Sequence, residues 1–392
     1  MYEGHFFKSF EIVEDLREQG KVKHRLLDIV FIVVSAVISG CNEWKEIKWW
    51  TELEVNQKWL RKYIELSNGV PSLSTIGRLF NIIAPAQFEK CFASWMQDVV
   101  RPEDQDIVSI DGKTMRGSAD GDKKGAHIVS AICRSHSLVI GQVKVNEKTN
   151  EIKAIPDLLD MLYLKGCIVT IDAMGCQKAI ADKIVECGAD YVLQVKGNQE
   201  GLQSDIKACF ADKEMAERID ALRGEFKELK KPYGDAGLAM LRTIDFGHGR
   251  IEKRTYWYTQ DIGWMLDAKK DWRKLAGVGM VTRDVEIGDR KTTDTSYFIG
   301  SIKDMRNFEK AVRNHWQIES MHWVLDVVYK DDANRTRKGT APQNMAVLKK
   351  IALNAIKKDT KKAAKLSVKG KRFKASRDMD YLDYIVRLNF MD

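Results

Sequence analysis

Two aspartates close β-branched runs in the same way: Ser-Ile-Asp ends at Asp111, and Thr-Ile-Asp ends at Asp172. Small residues follow both, Gly112 in one case and Ala173 with Gly175 in the other. If the two runs are neighbouring strands, their carboxylates face one another and offer hard oxygen ligands. Such ligands suit Mg2+ or Mn2+, ions that keep several waters and also take phosphate oxygens. Taken singly, each aspartate reads better as a cap on the turn after it.

A third acid changes the balance. On a helix, Val312, His315, Glu319, His322 and Asp326 fall at alternating steps of three and four, so they form one stripe carrying two imidazoles and two carboxylates. That composition fits neither a dry core face nor idle surface. Trp316 and Trp323 recur at seven and are expected to mark a buried seam beside the stripe, which leaves the polar stripe to line a cleft.

The elements that must position these acids follow from the pattern. Residues 1–100 read as helical, through LLDIVFIVVSAVISG and FEKCFASWMQDVV, with Trp44, Trp49 and Trp50 expected to pack inside. DIVSID, AHIVSAICR and LVIGQVKV read as three antiparallel strands. A helix (IKAIPDLLDMLYL), a strand (CIVTID), a helix (QKAIADKIVECG) and a strand (YVLQVK) come next, so the first strand can lie beside the fourth. Residues 200–294 read as an insertion, first helical and then strand-like. TSYFIGS and a helix from Asp304 resume the core over residues 295–356, and 357–392 form a basic C-terminal segment.

Composition excludes several classes. The 392 residues exceed the usual size of one core, and the seven cysteines are scattered without C-x2-C spacing, against a disulfide framework or a zinc ribbon. The longest apolar run, Ile29–Ile38, is too short to span a bilayer, and no secretory leader is visible, so a cytoplasmic protein without a membrane partner is expected. Net charge is +8, yet Lys357–Arg377 alone carries +9 and the remainder −1. That segment, with Lys369, Lys371, Arg372 and Lys374, is a candidate polyanion contact, or else a solvated surface.

Taken in order, HRLLDIVFIVVSAVISG, SIDGKTMRGS, TIDAMGCQ, LQVKGNQ, HGRIEKRTYW and HWQIESMHWVLDVVYKDD resemble insertion-sequence DDE transposases of the H-repeat-associated (ISAs-type) family over nearly the whole chain. The resemblance implies an α/β fold: a ribonuclease H-like mixed sheet with flanking helices, an insertion before the last catalytic helix, and an N-terminal helical domain. It implies that Asp111, Asp172 and Glu319 hold two Mg2+ (or Mn2+) and catalyse cleavage at transposon ends and strand transfer. The partners it implies are double-stranded DNA, as terminal inverted repeats and target, and further copies of the chain in a dimer or larger assembly. Where the wider group carries Tyr, Arg and Lys around the catalytic Glu, this chain has Val312, His315 and Asp326. Arg313 or His315 is therefore expected to replace a phosphate contact. Lys113, Arg116, Lys196, Asn198 and Gln199, just past the strand ends, are further candidate DNA contacts. Two other readings stay open: a nuclease of the same fold that never joins DNA, and a DNA-binding protein without catalysis. A zinc hydrolase on His315, Glu319 and His322 is disfavoured because H-E-x-x-H spacing is absent.

Overall fold

The structure is a computed structural model that describes residues 4–122, 124–145, 151–225, 228–235, 237–247 and 249–391. His248, the first residue of the HGRIEKRTYW motif, lies outside them. The chain opens with helices α1 (His5–Phe10), α2 (Leu26–Ile38), α3 (Trp44–Glu52), α4 (Glu54–Leu60), α5 (Leu73–Ile82) and α6 (Pro85–Val99). α2 is apolar on every side and is buried on every side, the expected fate of such a helix. Ser72 caps α5 by accepting from the Thr75 amide at 3.1 Å. Trp50 is buried and Trp44 stacks on Phe80 at 5.2 Å, whereas Trp49 is 63% exposed and does not pack as expected. Among the described residues no helix is long and apolar enough to cross a membrane.

The sheet starts as three antiparallel strands, β1 (Ile107–Thr114), β2 (His127–Cys133) and β3 (Leu138–Val145). Helix α7 (Glu151–Asp160) crosses to β4 (Ile168–Ile171), and α8 (Lys178–Glu186) crosses to β5 (Asp190–Val195). β4 is buried at every position, as a parallel strand covered on both faces must be. It pairs in parallel with both β1 and β5, and Ile110 of β1 stands opposite Ile171 of β4. The next residue on each strand is the acid, so Asp111 and Asp172 leave the same sheet edge side by side. The strand order β3-β2-β1-β4-β5 and these directions make the expected ribonuclease H-like layer.

The segment read as an insertion does not stand apart. After helices α9 (Glu200–Ala211) and α10 (Lys213–Glu225) come β6 (Tyr233–Gly234), β7 (Ala239–Gly247), β8 (Arg250–Thr259), helix α11 (Leu266–Asp271), β9 (Gly277–Ile287) and β10 (Arg290–Gly300). β10 pairs with β9 along its whole length and with β5 over Tyr297–Gly300. A single ten-stranded sheet results, and the boundary expected between 294 and 295 falls inside a continuous strand.

Helix α12 (Met305–Val327) starts where Asp304 accepts from the Asn307 amide at 2.9 Å, and it packs across β1 and β4. Its buried seam is Ala311, Asn314, Ile318, Met321 and Leu325. Trp316 and Trp323 are 45% and 62% exposed, so they do not form the expected buried seam. Their recurrence at seven suggested a seam, but each lies two residues from the nearest seam positions, on the opposite side of the helix.

The C-terminal region folds back as α13 (Ala341–Lys357), α14 (Val368–Ala375) and α15 (Met379–Phe390). Phe390 meets Phe6 and Trp95 at ring separations of 4.5 and 5.8 Å, which joins the two chain ends in one helical unit. Within the basic segment Lys371 and Arg372 are buried, whereas Lys361, Lys362, Lys365, Lys369 and Arg377 are exposed. Arg372 is buried, donates to the backbone oxygens of Val37, Cys41 and Val328, and lies 4.0 Å from the Tyr329 ring. Lys371 is buried and donates to Asp359 O. Neither can reach a DNA phosphate, which corrects both assignments. Lys369 is exposed, and Lys374 lies 3.9 Å from Asp378 and 4.8 Å from the Tyr381 ring.

Arg372→Ala strips partners from carbonyls at the end of α2 and should destabilise the chain by on the order of 3 kcal/mol in urea unfolding. Lys369→Gln, at an exposed site, should change stability by less than about 0.5 kcal/mol. Equal effects would contradict the burial of Arg372.

Candidate active site

Asp111 Oδ1 accepts from its neighbour's amide, Gly112 N, at 2.8 Å, and Asp172 Oδ1 accepts from Gly175 N at 3.3 Å. Both acids thus bond the turn behind them, as a capping role requires, and each keeps a second oxygen. The glycines are there for space. A Cβ on Gly112 would stand 2.6 Å from His127 Nε2 and 2.7 Å from Glu151 Oε1, and one on Gly175 would stand 2.2 Å from Ile171 Cγ2. Glu319 comes from α12, exposed, and lines the same cavity of about 490 Å3 as Asp111 and Asp172. The far wall of this cavity comes from β8 and β9, through Arg254 and Arg283, and from Trp316 on α12.

Burial and the neighbouring charges of Asp172, Glu151 and Glu319 push the Asp111 carboxyl up to about 7, against the pull of the Gly112 amide. A carboxyl in that position gains from a nearby cation. Among the described residues the oxygens of Asp111, Asp172 and Glu319 do not form a cluster within 4.8 Å of one another. The donor set is all oxygen, which is the preference of Mg2+ and Mn2+.

The other sequence candidates divide. Lys196 lines the cavity and is exposed. Arg116 is 85% exposed in its side chain and lies 3.7 Å from Asp332. Lys113 points instead to Asp326 and Asp332, at 2.7 and 2.8 Å; burial opposes its charge, but these two acids hold its pKa above the usual value. Asp326 therefore serves Lys113 and does not line the cavity. Asn198 and Gln199 donate to the Ala173 and Cys176 carbonyls at 2.7 and 3.1 Å, so they brace the turn after Asp172. Arg313 grips Asp245 of β7 through two hydrogen bonds of 2.7 and 2.9 Å. His315 is half-buried, 3.2 Å from Thr170 Oγ1, and burial, with the nearby Lys196 charge, holds its pKa down. His315 also lines the cavity that holds the three acids.

Several residues of the site escaped the sequence reading. Glu252 on β8 is buried among Arg250, Arg254 and Arg283, and despite its burial the hydrogen bond from Arg283 and the nearby charges hold its carboxyl below the usual range. The alternation of Glu252, Arg254 and Tyr256 along one strand was the available signal. Glu151 is buried beside Asp111 and hydrogen-bonded to His127, whose other nitrogen meets Thr114 Oγ1 at 2.7 Å. Nothing in the spacing of His127 and Glu151 announces that pair.

Residues 102–355 match the family described as Transposase DDE domain, and residues 7–96 match its associated N-terminal family, DDE_Tnp_1-associated. The chain belongs to the DDE transposase family. It is 40% identical over 383 residues to the Escherichia coli O157:H7 protein named "Putative transposase YncI", covering 96% of this chain and 92% of that one. It is 37% identical over 383 residues to "H repeat-associated putative transposase YhhI" of Escherichia coli K12, covering 96% of each. A solved piggyBac transposase synaptic complex with hairpin DNA aligns with a TM-score of 0.42 and 11% identity, covering 99% of this chain and 81% of that one, too distant to argue from. DDE transposases act on DNA and generally use divalent metal ions.

In EDTA the folded transposase keeps the Asp111 proton up to about 7, while the unfolded chain loses it near the ordinary value of 3.8. The folded state then binds more protons, so its stability falls as pH rises through that window. Asp111→Asn lacks the liability and should gain on the order of 2 kcal/mol over wild type between pH 5 and pH 8 in denaturant titrations. A difference independent of pH would contradict the crowding of charge at Asp111.

Proposed function

We propose that Asp111, Asp172 and Glu319 hold two Mg2+ (or Mn2+) ions and that this centre both cleaves DNA at the ends of an insertion element and joins them to target DNA. One observation carries the reading: parallel pairing sets Ile110 opposite Ile171, so the two acids leave adjacent strands together, and Glu319 lines the same cavity. Bound divalent ions supply activation of the attacking oxygen and neutralisation of the leaving one in an in-line displacement at phosphorus. The chain's own part is placement. Asp111 and Asp172 are fixed by their turn amides, and Glu319 by the packing of α12 across β1 and β4.

Water is the attacking group at the element's end, and the freed 3′-hydroxyl is the attacking group on target DNA, so one centre serves both steps and no protein nucleophile is needed. Exposed Lys196 lines the cavity, and exposed Arg116 follows β1 beyond Asp111, where each can hold a phosphate backbone without reading sequence. Arg254, Arg283 and Trp316 close the opposite side with two guanidinium groups 5.7 and 5.0 Å from the indole. The DNA includes the terminal inverted repeats and the target, and paired ends call for two or more copies of the chain.

Asp111→Asn, Asp172→Asn and Glu319→Gln should each lower cleavage and strand transfer together, roughly a hundredfold or more, because each removes a charged oxygen ligand and little bulk. End binding in EDTA, measured by gel shift, should stay within about threefold, since it rests on Lys and Arg contacts. Full activity in any of the three amides contradicts the assignment. Cleavage by wild type with no joining of pre-cleaved ends to target DNA would make the chain a nuclease of this fold.

A further inference from the structure

Helix α12 carries one imidazole a full turn before Glu319 and another three residues after it, and each addresses a different strand of the aspartate pair. His315 Nδ1 lies 3.2 Å from Thr170 Oγ1, two residues ahead of Asp172 on β4. The Thr170 hydroxyl donates to Ser109 Oγ at 3.1 Å, and the Ser109 hydroxyl donates onward to Asn314 O at 3.2 Å. Ser109 stands two residues ahead of Asp111 on β1. This closed chain ties α12, β4 and β1 together directly behind the acids, and Thr170 and Ser109 are both buried. Because the threonine proton is committed to Ser109, Thr170 Oγ1 accepts from His315, which fixes the proton of that ring on Nδ1.

At the other end of the stripe, His322 Nδ1 lies 3.5 Å from Asp111 Oδ2, the oxygen not bonded to Gly112. His322 Nε2 is buried without a hydrogen-bond partner. A ring with one nitrogen at a carboxylate and the other unpaired best carries its proton on Nδ1, since a bare acceptor is the cheaper group to bury unpaired.

We propose that His315 and His322 are positioning residues: one imidazole hydrogen-bonded to Thr170 behind Asp172 and one held 3.5 Å from the free oxygen of Asp111, which together set the separation of Asp172, Asp111 and Glu319 and so the geometry in which the three acids receive divalent cations. The proposal rests on the three-carboxylate reading above. His315 fixes β4 against the helix turn before Glu319, and His322 aims the free oxygen of Asp111. Groups that orient the ligands of a metal typically matter about tenfold or more for its affinity.

The test uses Mn2+ alone as the probe, with its binding to the full chain followed by electron paramagnetic resonance of the free ion and thermal unfolding recorded in EDTA. His322→Leu and His315→Leu should each weaken Mn2+ binding about tenfold with melting temperature in EDTA held. The acting atom is Nδ1, which the amide nitrogen of Asn reproduces and that of Gln does not. His322→Asn and His315→Asn should therefore restore affinity to within about threefold, and the Gln variants should not. The proposal is overturned if the Leu variants bind Mn2+ like wild type, if Gln rescues as well as Asn, or if affinity and melting temperature fall together. Asp111→Asn separates the two claims: normal Mn2+ binding by that variant sinks the three-carboxylate reading itself, whatever the histidines do.

Discussion

Like charges held side by side repel, and a parallel strand pair that ends in two aspartates holds them side by side by construction. Once Ile110 is in register with Ile171, Asp111 and Asp172 have no way to part short of breaking the centre of the sheet. Burial, and then the charges of Asp172, buried Glu151 and Glu319, push the Asp111 carboxyl up to about 7. The surrounding structure bears this repulsion through amides aimed at the carboxylates, glycines where any side chain would collide, and a helix that must be fixed firmly enough to keep a third acid in place.

That helix is fixed along its length by different means. Asp304 caps its start, the His315–Thr170–Ser109 chain joins its middle to the sheet, and Lys113 on β1 pairs with Asp326 near its end. Behind it, α13 is buried throughout and brings lysines into the interior with partners to match: Lys349 at 2.9 Å from Asp331, and Lys350 donating to Gln142 at 2.7 Å. Burial pushes Lys350 down to about 8. Gln142 in turn donates to Glu89 of α6 at 3.2 Å. The catalytic sheet and the flanking helical unit therefore share one buried polar network, in which removing one member leaves another unpaired.

Much of the site was legible because it follows local rules. Strand periodicity and the small residues after each aspartate placed Asp111 and Asp172 at neighbouring strand ends, and the step pattern of α12 placed Glu319 on the stripe that faces them. The reading erred where burial is set by distant partners. Trp316 and Trp323 lie two residues from the nearest seam positions, on the opposite side of the helix, and Arg372 was counted as a surface charge although its hydrogen bonds go to α2, far away in sequence. The insertion was seen, but its union with β5 through the second half of β10 depends on a pairing that no local pattern reveals. Glu151 and His127 were silent for the same reason.

Diffraction from Mn2+-soaked crystals of the transposase bound to an element end, recorded at the manganese edge, tests the central claim most directly. The account predicts two anomalous peaks about 3.5 to 4 Å apart, ligated among them by Asp111, Asp172 and Glu319. Peaks elsewhere with these three empty would contradict it, for example at Asp106, Cys133 and His136, the one group of three such side chains among the described residues whose ligand atoms lie within 4.8 Å of one another.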